Sequence, residues 1–280
     1  METARTGRTV EAEVVRLDGA TRTRRHDEIV GEEPLELRLT AGGKTQTLAV
    51  TMRTPGNDFE LAAGFVYGEG LVRDRGEIAE LTYCLDPKLD PDQRYNVVTV
   101  ELRGTVGLDL TRFERHFTMS SACGVCGRAQ LDSLRALGAA PLDDGARLAH
   151  GVLYSLPERM REAQRVFAST GGLHAAALFT PDGDALAVRE DVGRHNAVDK
   201  LVGWALLNAR LPLRGCVLAV SGRASYEILQ KAVMAGAPIV ASVSAPSSLA
   251  VDVAREFNVT LAGFVRGDRA NVYSVPERIV

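Results

Sequence analysis

The feature that most constrains this chain is the regular exchange of strand-like and helix-like segments in its last third. Residues 216–221 (CVLAVS), 238–243 (PIVASV) and 260–265 (TLAGFV) are short, nearly continuous apolar runs, and residues 225–235 and 247–257 between them carry apolar side chains at helical spacing. Strands without a polar alternate are covered on both faces, and a strand–helix–strand order makes them parallel. Just upstream, residues 173–179 and 185–189 flank Pro181-Asp182-Gly183 and read as a hairpin, and residues 197–207 read as a helix. Residues 141–280 are therefore expected to form a three-layer α/β domain.

In such a sheet a ligand lies beyond the carboxyl ends of the strands, and here those ends share one chemistry. The first runs into Ser221, Gly222, Arg223 and Ser225, the second into Ser244, Ser247 and Ser248, and the last into Arg266, Gly267, Asp268 and Arg269. Glycine admits close backbone approach, serines at helix starts add hydroxyls, and arginine binds phosphate in a bidentate manner. An anion site for a phosphate-bearing ligand is the functional reading; helix-capping serines and surface arginines are the plainer one. Residues 190–196 (EDVGRHN) pack acids, a base and hydrogen-bonding groups into a strand-to-helix junction. Asp191 or Asn196 could cap the helix and Glu190 could pair with Arg194, whereas His195 could donate or accept a proton, since histidine titrates near neutrality. His174, after Thr170-Gly171-Gly172, is equally open.

Two of the four cysteines fall together in Ser120-Ser121-Ala122-Cys123-Gly124-Val125-Cys126-Gly127. Leu131, Leu134 and Leu137 follow at helical spacing, so the pair sits at a helix start, and that helix end and Arg128 both favour thiolate over thiol. The pair reads as nucleophilic. A structural zinc would need two further ligands at matching spacing, yet Cys84 and Cys216 stand singly in apolar runs; no metal is expected.

The N-terminal half reads as a smaller α+β unit. Leu35, Leu37 and Leu39 alternate with polar residues, Ala41-Gly42-Gly43 turns the chain, and residues 47–52 complete a hairpin. Asn57 or Asp58 caps a helix carrying Leu61, Ala62, Phe65 and Val66, and strands follow at 78–85 and 97–102 around a proline-containing loop. A later helix is expected to start at Ser155-Leu156-Pro157 and to carry Met160, Ala163, Val166 and Phe167 on one face. The resulting division is a basic, solvated arm over 1–27 with Arg22, Arg24 and Arg25, an α+β domain over 28–117, the thiol loop and helix over 118–140, and the α/β domain beyond. A formal charge of -3 and 5% aromatic content argue against nucleic-acid binding. No stretch resembles a signal peptide or a membrane span, so a cytoplasmic protein is expected, and in that reducing compartment a CxxC serves catalysis or metal binding rather than a structural disulfide.

Together these motifs resemble the FdhD-type formate dehydrogenase accessory sulfurtransferases. The matching blocks are Glu33-Pro34-Leu35-Glu36, Met52-Arg53-Thr54-Pro55-Gly56, the thiol turn, Thr170-Gly171-Gly172-Leu173-His174, residues 190–200 (EDVGRHNAVDK), Ser221-Gly222-Arg223, Ser244-Ala245-Pro246-Ser247 and residues 263–273. Ala122 is a small departure. The resemblance implies a cytidine-deaminase-like C-terminal domain with a mixed sheet, and a homodimer. It also implies a sulfurtransferase that accepts persulfide sulfur from a cysteine desulfurase on Cys123, assisted by Cys126, and delivers it to Mo-bis(molybdopterin guanine dinucleotide) for formate dehydrogenase. The cofactor's guanine nucleotide would lie along Phe264, Val265, Arg266, Gly267, Asp268 and Arg269. Competing readings are a zinc-dependent deaminase-like hydrolase, a cofactor chaperone without catalysis, and a dithiol redox protein. For the hydrolase, His26-Asp27-Glu28 supplies an H-x-E, but no proline precedes Cys123.

Overall fold

In the computed structural model, residues 7–84, 95–104, 127–143 and 145–280 are described; Cys123 and Cys126 and the proline loop over 86–91 lie outside them. The last third folds as its alternation dictates. A six-stranded sheet has the order β12-β11-β10-β9-β7-β8, with β7 (His174–Phe179), β8 (Ala185–Asp191), β9 (Val217–Val220), β10 (Ile239–Ser242), β11 (Thr260–Arg266) and β12 (Arg269–Ser274). Strands β9, β10 and β11 run parallel, while β7, β8 and β12 are antiparallel to their neighbours. The period of two assigns alternate side chains to opposite faces. Ala175, Ala177, Phe179, Val217, Ala219, Ile239 and Ala241 meet Leu153, Leu156 and Met160 of one helix, α3 (His150–Ala163). On the other face, Ala176, Leu178, Leu218, Val220 and Val240 meet α5 (Arg194–Leu207), α6 (Tyr226–Ala235) and α7 (Ser248–Glu256).

That second core does not stop at the helices. It continues through α1 (Asp58–Gly68) into a four-stranded sheet of order β4-β3-β6-β5, built from β3 (Glu33–Ala41), β4 (Lys44–Arg53), β5 (Ile78–Tyr83) and β6 (Val97–Leu102). Leu35, Leu37 and Leu39 are all buried there, and the β3–β4 turn uses Gly42 and Gly43 at φ 58° and 74°, the left-handed values a tight hairpin requires. Helices α1 and α5 cross backbone to backbone. A Cβ on Gly64 would lie 1.9 Å from the Asp199 carbonyl oxygen, and one on Gly203 would lie 1.8 Å from that of Glu60. Both helices can approach this closely only because neither carries a side chain at the crossing.

Four expectations change. Residues read as a solvated arm form an antiparallel ribbon, β1 (Thr9–Asp18) with β2 (Thr21–Val30), whose arginines are exposed as expected. The helix expected to start at Ser155 starts at His150 and holds Pro157 in its interior, then breaks before α4 (Arg165–Thr170), so Val166 and Phe167 belong to a separate helix. A proline inside a helix costs about 3 kcal/mol; Leu153, Leu156 and Met160, all buried, hold this helix on the sheet. Helix α5 starts at Arg194 rather than Ala197, because Gly193 already accepts the first helical bond from Ala197 at 3.0 Å. Finally β12, absent from the sequence reading, folds back on β11, making residues 266–269 a hairpin turn. The helix expected after the thiol turn is α2 (Gly127–Ala136), with Leu134 buried.

The glycine crossing yields a prediction. Gly203→Ala or Gly64→Ala should each lose about 3 kcal/mol or more of unfolding free energy, the upper end of overpacking costs, read as a lower urea midpoint. A midpoint within error of wild type would show that the helices part without penalty.

Candidate functional site

The carboxyl ends of β9 and β10, the bulge in β11 and the start of β7 form one continuous rim. Ser221 closes it on the β7 side, accepting the Ala175 amide on Oγ at 2.9 Å and donating its own amide to the Ala175 carbonyl at 3.0 Å. Ala224 and Pro246 form a parallel bridge, and the Ser247 amide donates to the Ala224 carbonyl at 2.9 Å, joining the first strand-end loop to the second. The Phe264 amide donates to the Ser244 carbonyl at 3.1 Å, joining the second to the third. Buried Ser242 ties the set together, its hydroxyl lying 2.7 Å from the Gly222 carbonyl oxygen and 3.0 Å from that of Ser244.

Phe264 stands out on this rim. It lies where the β11–β12 register slips between Gly263 and Arg266, has φ 53°, and is 45% exposed as a residue. A bulky residue in the left-handed region is costly, of order 1–3 kcal/mol, and such positions concentrate at ligand sites. A Cβ on Gly263 would meet the Pro246 ring at 2.9 Å, so glycine there lets the second loop press against the bulge. Val265, by contrast, is buried in the core beneath α3, so its side chain is not available to a ligand. Ser247 is the N-cap of α7, accepting the Ala250 amide at 3.2 Å, as the plainer reading had it. Arg223, Arg266, Gly267, Asp268 and Arg269 are exposed, and Arg223 makes no ion pair among the described residues.

The cluster over 190–196 divides between scaffold and site. Glu190 caps α4, accepting the amides of Val166 and Phe167 at 3.2 and 2.8 Å. Asp191 is fully buried and accepts from the Gly193 amide at 2.8 Å, the Asn196 side chain at 3.0 Å and the Thr54 amide at 3.1 Å, with Lys200 Nζ 2.6 Å away. Lys200, also buried, donates to the Thr54 carbonyl at 2.8 Å; burial lowers its pKa, and the Asp191 carboxylate opposes that shift. These bonds splice the block over 52–56 to the block over 190–200.

Arg194 and His195 turn instead to the rim. His195 Nε2 lies 2.7 Å from Glu227 Oε2 and 3.2 Å from Ser225 Oγ. Glu227 is drawn down to about 2, first by its hydrogen bond with His195, and so is a carboxylate throughout the physiological range. His174 packs beside Gly222, where a Cβ would lie 3.3 Å from its Nδ1. Burial lowers the pKa of His174, and the charges of Arg194 and His195 lower it further, leaving it neutral at pH 7. Arg194 Nε is buried without a hydrogen-bond partner among the described residues. Beside Gly222 the rim thus carries one neutral imidazole, one imidazole fastened to a carboxylate, and the guanidinium groups of Arg194 and Arg223. Tyr226, between Ser225 and Glu227, donates its hydroxyl to the Gln130 carbonyl in the first turn of α2 at 3.4 Å. Burial, then Glu69 and Glu227, push that hydroxyl up to about 12.

The sequence reading named His195, Ser225 and the strand-end serines but missed Glu227 and Tyr226. Glu227 stands 32 positions from His195 and signals itself only as an acid in the first turn of α6. His26-Asp27-Glu28 falls on the exposed ribbon, where Glu28 bonds to Thr9 and Ser169. No metal-ligating cluster occurs among the described residues.

An α/β sheet whose strand-end loops fuse into one polar rim, bonded across a buried ion pair to a second sheet, defines a two-unit α/β protein with one candidate ligand face. The chain belongs to the FdhD/NarQ family, whose sequence profile matches residues 30–280. It is 52% identical over 277 residues to a Streptomyces coelicolor protein named sulfur carrier protein FdhD, covering 98% of this chain and 96% of that one. A Sulfurisphaera tokodaii protein of the same name is 43% identical over 267 residues, covering 95% and 97%. A crystal structure from Desulfotalea psychrophila, assigned as a formate dehydrogenase accessory protein, superposes with a TM-score of 0.74 over 97% of this chain and 99% of that one at 24% identity, a likeness of fold.

Two predictions follow from the charges. Asp191→Asn should cost about 3–5 kcal/mol by stranding the Lys200 ammonium, and Asp191→Asn with Lys200→Met should lose less than the single change; equal losses in urea unfolding would count against a charge pair. Glu227, whose pKa falls from 4.5 to about 2 on folding, adds stability that is complete above pH 4.5 and disappears as the pH drops toward 2. Since Glu227 is exposed, solvent limits the difference from Glu227→Gln to about 1 kcal/mol. That gap should close between pH 5 and 2, and a pH-independent gap would refute the assignment.

Proposed function

We propose that this chain is a sulfur carrier: Cys123, assisted by Cys126, takes persulfide sulfur from a cysteine desulfurase and passes it to Mo-bis(molybdopterin guanine dinucleotide), the cargo then installed in formate dehydrogenase. The observation that carries the reading is the fusion of three strand-end loops with the ring of Phe264 into one rim. Such a surface suits a guanine nucleotide, with the base against Phe264, the phosphates near Arg223 and the loops at Ser221 and Ser244, and the remainder along Arg266, Gly267, Asp268 and Arg269. The names borne by the relatives, with near-complete mutual coverage, support the sulfur-carrying role. The tie of Tyr226 to Gln130 supports delivery near this rim, because α2 starts one residue after Cys126. An antiparallel β7–β8 pair beside parallel β9, β10 and β11, with helices on both faces, supports the cytidine-deaminase-like part of the reading. A cytoplasmic homodimer completes it.

Calorimetry with GDP and persulfide mass spectrometry test the two halves separately. Arg223→Ala should weaken GDP binding about tenfold to over a hundredfold, the value of a charge-assisted hydrogen bond, and Phe264→Ala should weaken it comparably through lost stacking. Cys123→Ala should bind GDP normally yet carry no persulfide after incubation with desulfurase and cysteine, and should fail to support formate dehydrogenase. Full support by Cys123→Ala would instead make the chain a cofactor chaperone. Absence of GDP binding at millimolar concentration would remove the placement of the cargo.

A further inference from the structure

We propose that the β1–β2 ribbon is a dimer clasp. Its far half lies across the outer face of the four-stranded sheet in a second copy of this chain, and the second copy's ribbon lies on this one. The proposal rests on the homodimer in the sulfur-carrier reading and gives it two surfaces.

The ribbon is firmly rooted but poorly covered. At its root a Cβ on Gly172 would lie 2.9 Å from Val30 Cγ2, and the Gly31 amide donates to the Arg8 carbonyl at 2.8 Å. Beyond the root the two strands form a sheet of their own, and every residue from Val15 to His26 is exposed. A two-stranded ribbon alone in water is marginally stable, and this one also presents Val15 and Leu17 to solvent, Leu17 by 66%. In its ladder Val15 faces Arg24 and Leu17 faces Arg22, so these four side chains share one face. Residues 15–26 hold four arginines against one acid, Asp18. Arg24 and Arg25 reach acids of the ribbon only at 3.9 and 3.7 Å, exposed pairs that contribute little. The far half is therefore apolar and cationic.

The four-stranded sheet offers the complement. Leu35, Leu37, Val98 and Val100 turn inward to the core shared with α1. On the opposite face Val50 and Met52 are exposed, Val50 by 66%, opposite Glu36 and Pro34 of β3. At the other edge Glu80 and Glu101 stand opposite each other, both exposed. Like charges so placed repel, and whereas Glu36 has Arg38 at 2.9 Å, neither of these two acids has an ion-pair partner among the described residues. The outer face is thus apolar along β4 and anionic toward β5.

Size and charge select a second copy as the occupant. The ladder from Val14–Arg25 to Asp18–Thr21 spans about 16 Å at ~3.3 Å per residue, and four strands at ~4.8 Å spacing span about 14 Å. The chain's own sheet does not take the ribbon, for only Gly31 and Glu32 separate β2 from β3 and the far half is exposed. The whole chain has a formal charge of -3 although residues 15–26, with four arginines against one acid, carry +3. The ribbon is therefore attracted to the body of another copy. Each copy supplies one ribbon and one sheet, so a two-fold axis closes the pair with both contacts satisfied.

Sedimentation equilibrium of the full chain tests the clasp. A reversed ribbon, Arg22→Glu with Arg24→Glu, and a reversed sheet, Glu80→Lys with Glu101→Lys, should each raise the dimer dissociation constant about tenfold or more, since like charges then meet. An equimolar mixture of the two variants should dimerise about as tightly as wild type, because every ribbon again meets a sheet of opposite charge. All four positions are exposed, and recovery on mixing requires both chains to be folded. Variants that dimerise like wild type, or a mixture as weak as its components, would overturn the clasp and leave the homodimer standing. A wild type that stays monomeric would overturn clasp and homodimer together and give both surfaces to another occupant. Persulfide loading of Cys123, measured on the same samples, judges the sulfur-carrying role separately.

Discussion

The buried carboxylate of Asp191 is the constraint on which the rest of the molecule depends. An ion with no solvent contact is tolerable only when hydrogen-bonded and neutralised, and Asp191 achieves this by drawing donors from separate parts of the chain: the Thr54 amide after β4, the Gly193 amide and Asn196 at the start of α5, and Lys200 one turn further on. Thr54 reciprocates, its hydroxyl accepting the Val192 amide at 3.1 Å and its carbonyl accepting from Lys200. Neither sheet can satisfy these groups alone. The N-terminal unit and the α/β unit are consequently parts of one cooperative body, sharing an apolar core that runs from Leu35 to Leu261.

Close packing makes that union specific. Helix α1 meets α5 at glycines whose replacement atoms would overlap carbonyl oxygens, so the two helices fit in one register. Arg53, buried at the end of β4, repeats the principle on a smaller scale with Asp58, Glu33 and Asn96 at 3.1 to 3.2 Å. What emerges above this scaffold is a rim in which rigid strand ends, rather than long loops, place the polar groups, and that is the support a precise site requires.

The sequence disclosed the strands and helices wherever one period dominated. Apolar runs such as 216–221 and 238–243 admit little but buried strands, and Leu35, Leu37 and Leu39 admit little but a half-buried one. It misled where a local signal was weaker than packing: Pro157 looks like a helix start, yet three buried side chains carry the helix through it. The β11–β12 hairpin stayed hidden because its bulge at Phe264 breaks the alternation and its turn resembles a ligand loop. Of the candidate site, the strand-end serines and arginines were visible in the sequence, but the contact between His195 and Glu227 was not. Any histidine could find a partner, and only the fold brings Glu227 to His195. Residues 190–196 were ambiguous for a related reason, since Glu190 and Asp191 obey capping rules just as plausible in many other contexts.

Helix α5 explains how scaffold and chemistry coexist in so short a segment. At 100° per residue, positions four apart share a face. Asn196, Lys200 and Gly203 form one stripe, which meets Asp191, Thr54 and α1. His195, Asp199 and Val202 form the next, which meets α6 through Glu227 and Lys231. The first stripe fixes the rotation of the helix about its axis, and that rotation aims the second. A disturbance at Lys200 or Gly203 would therefore reach the rim as a change in the direction of His195, without altering any residue that faces it. The same buried ions that join the two units also set the angle at which the imidazole is offered.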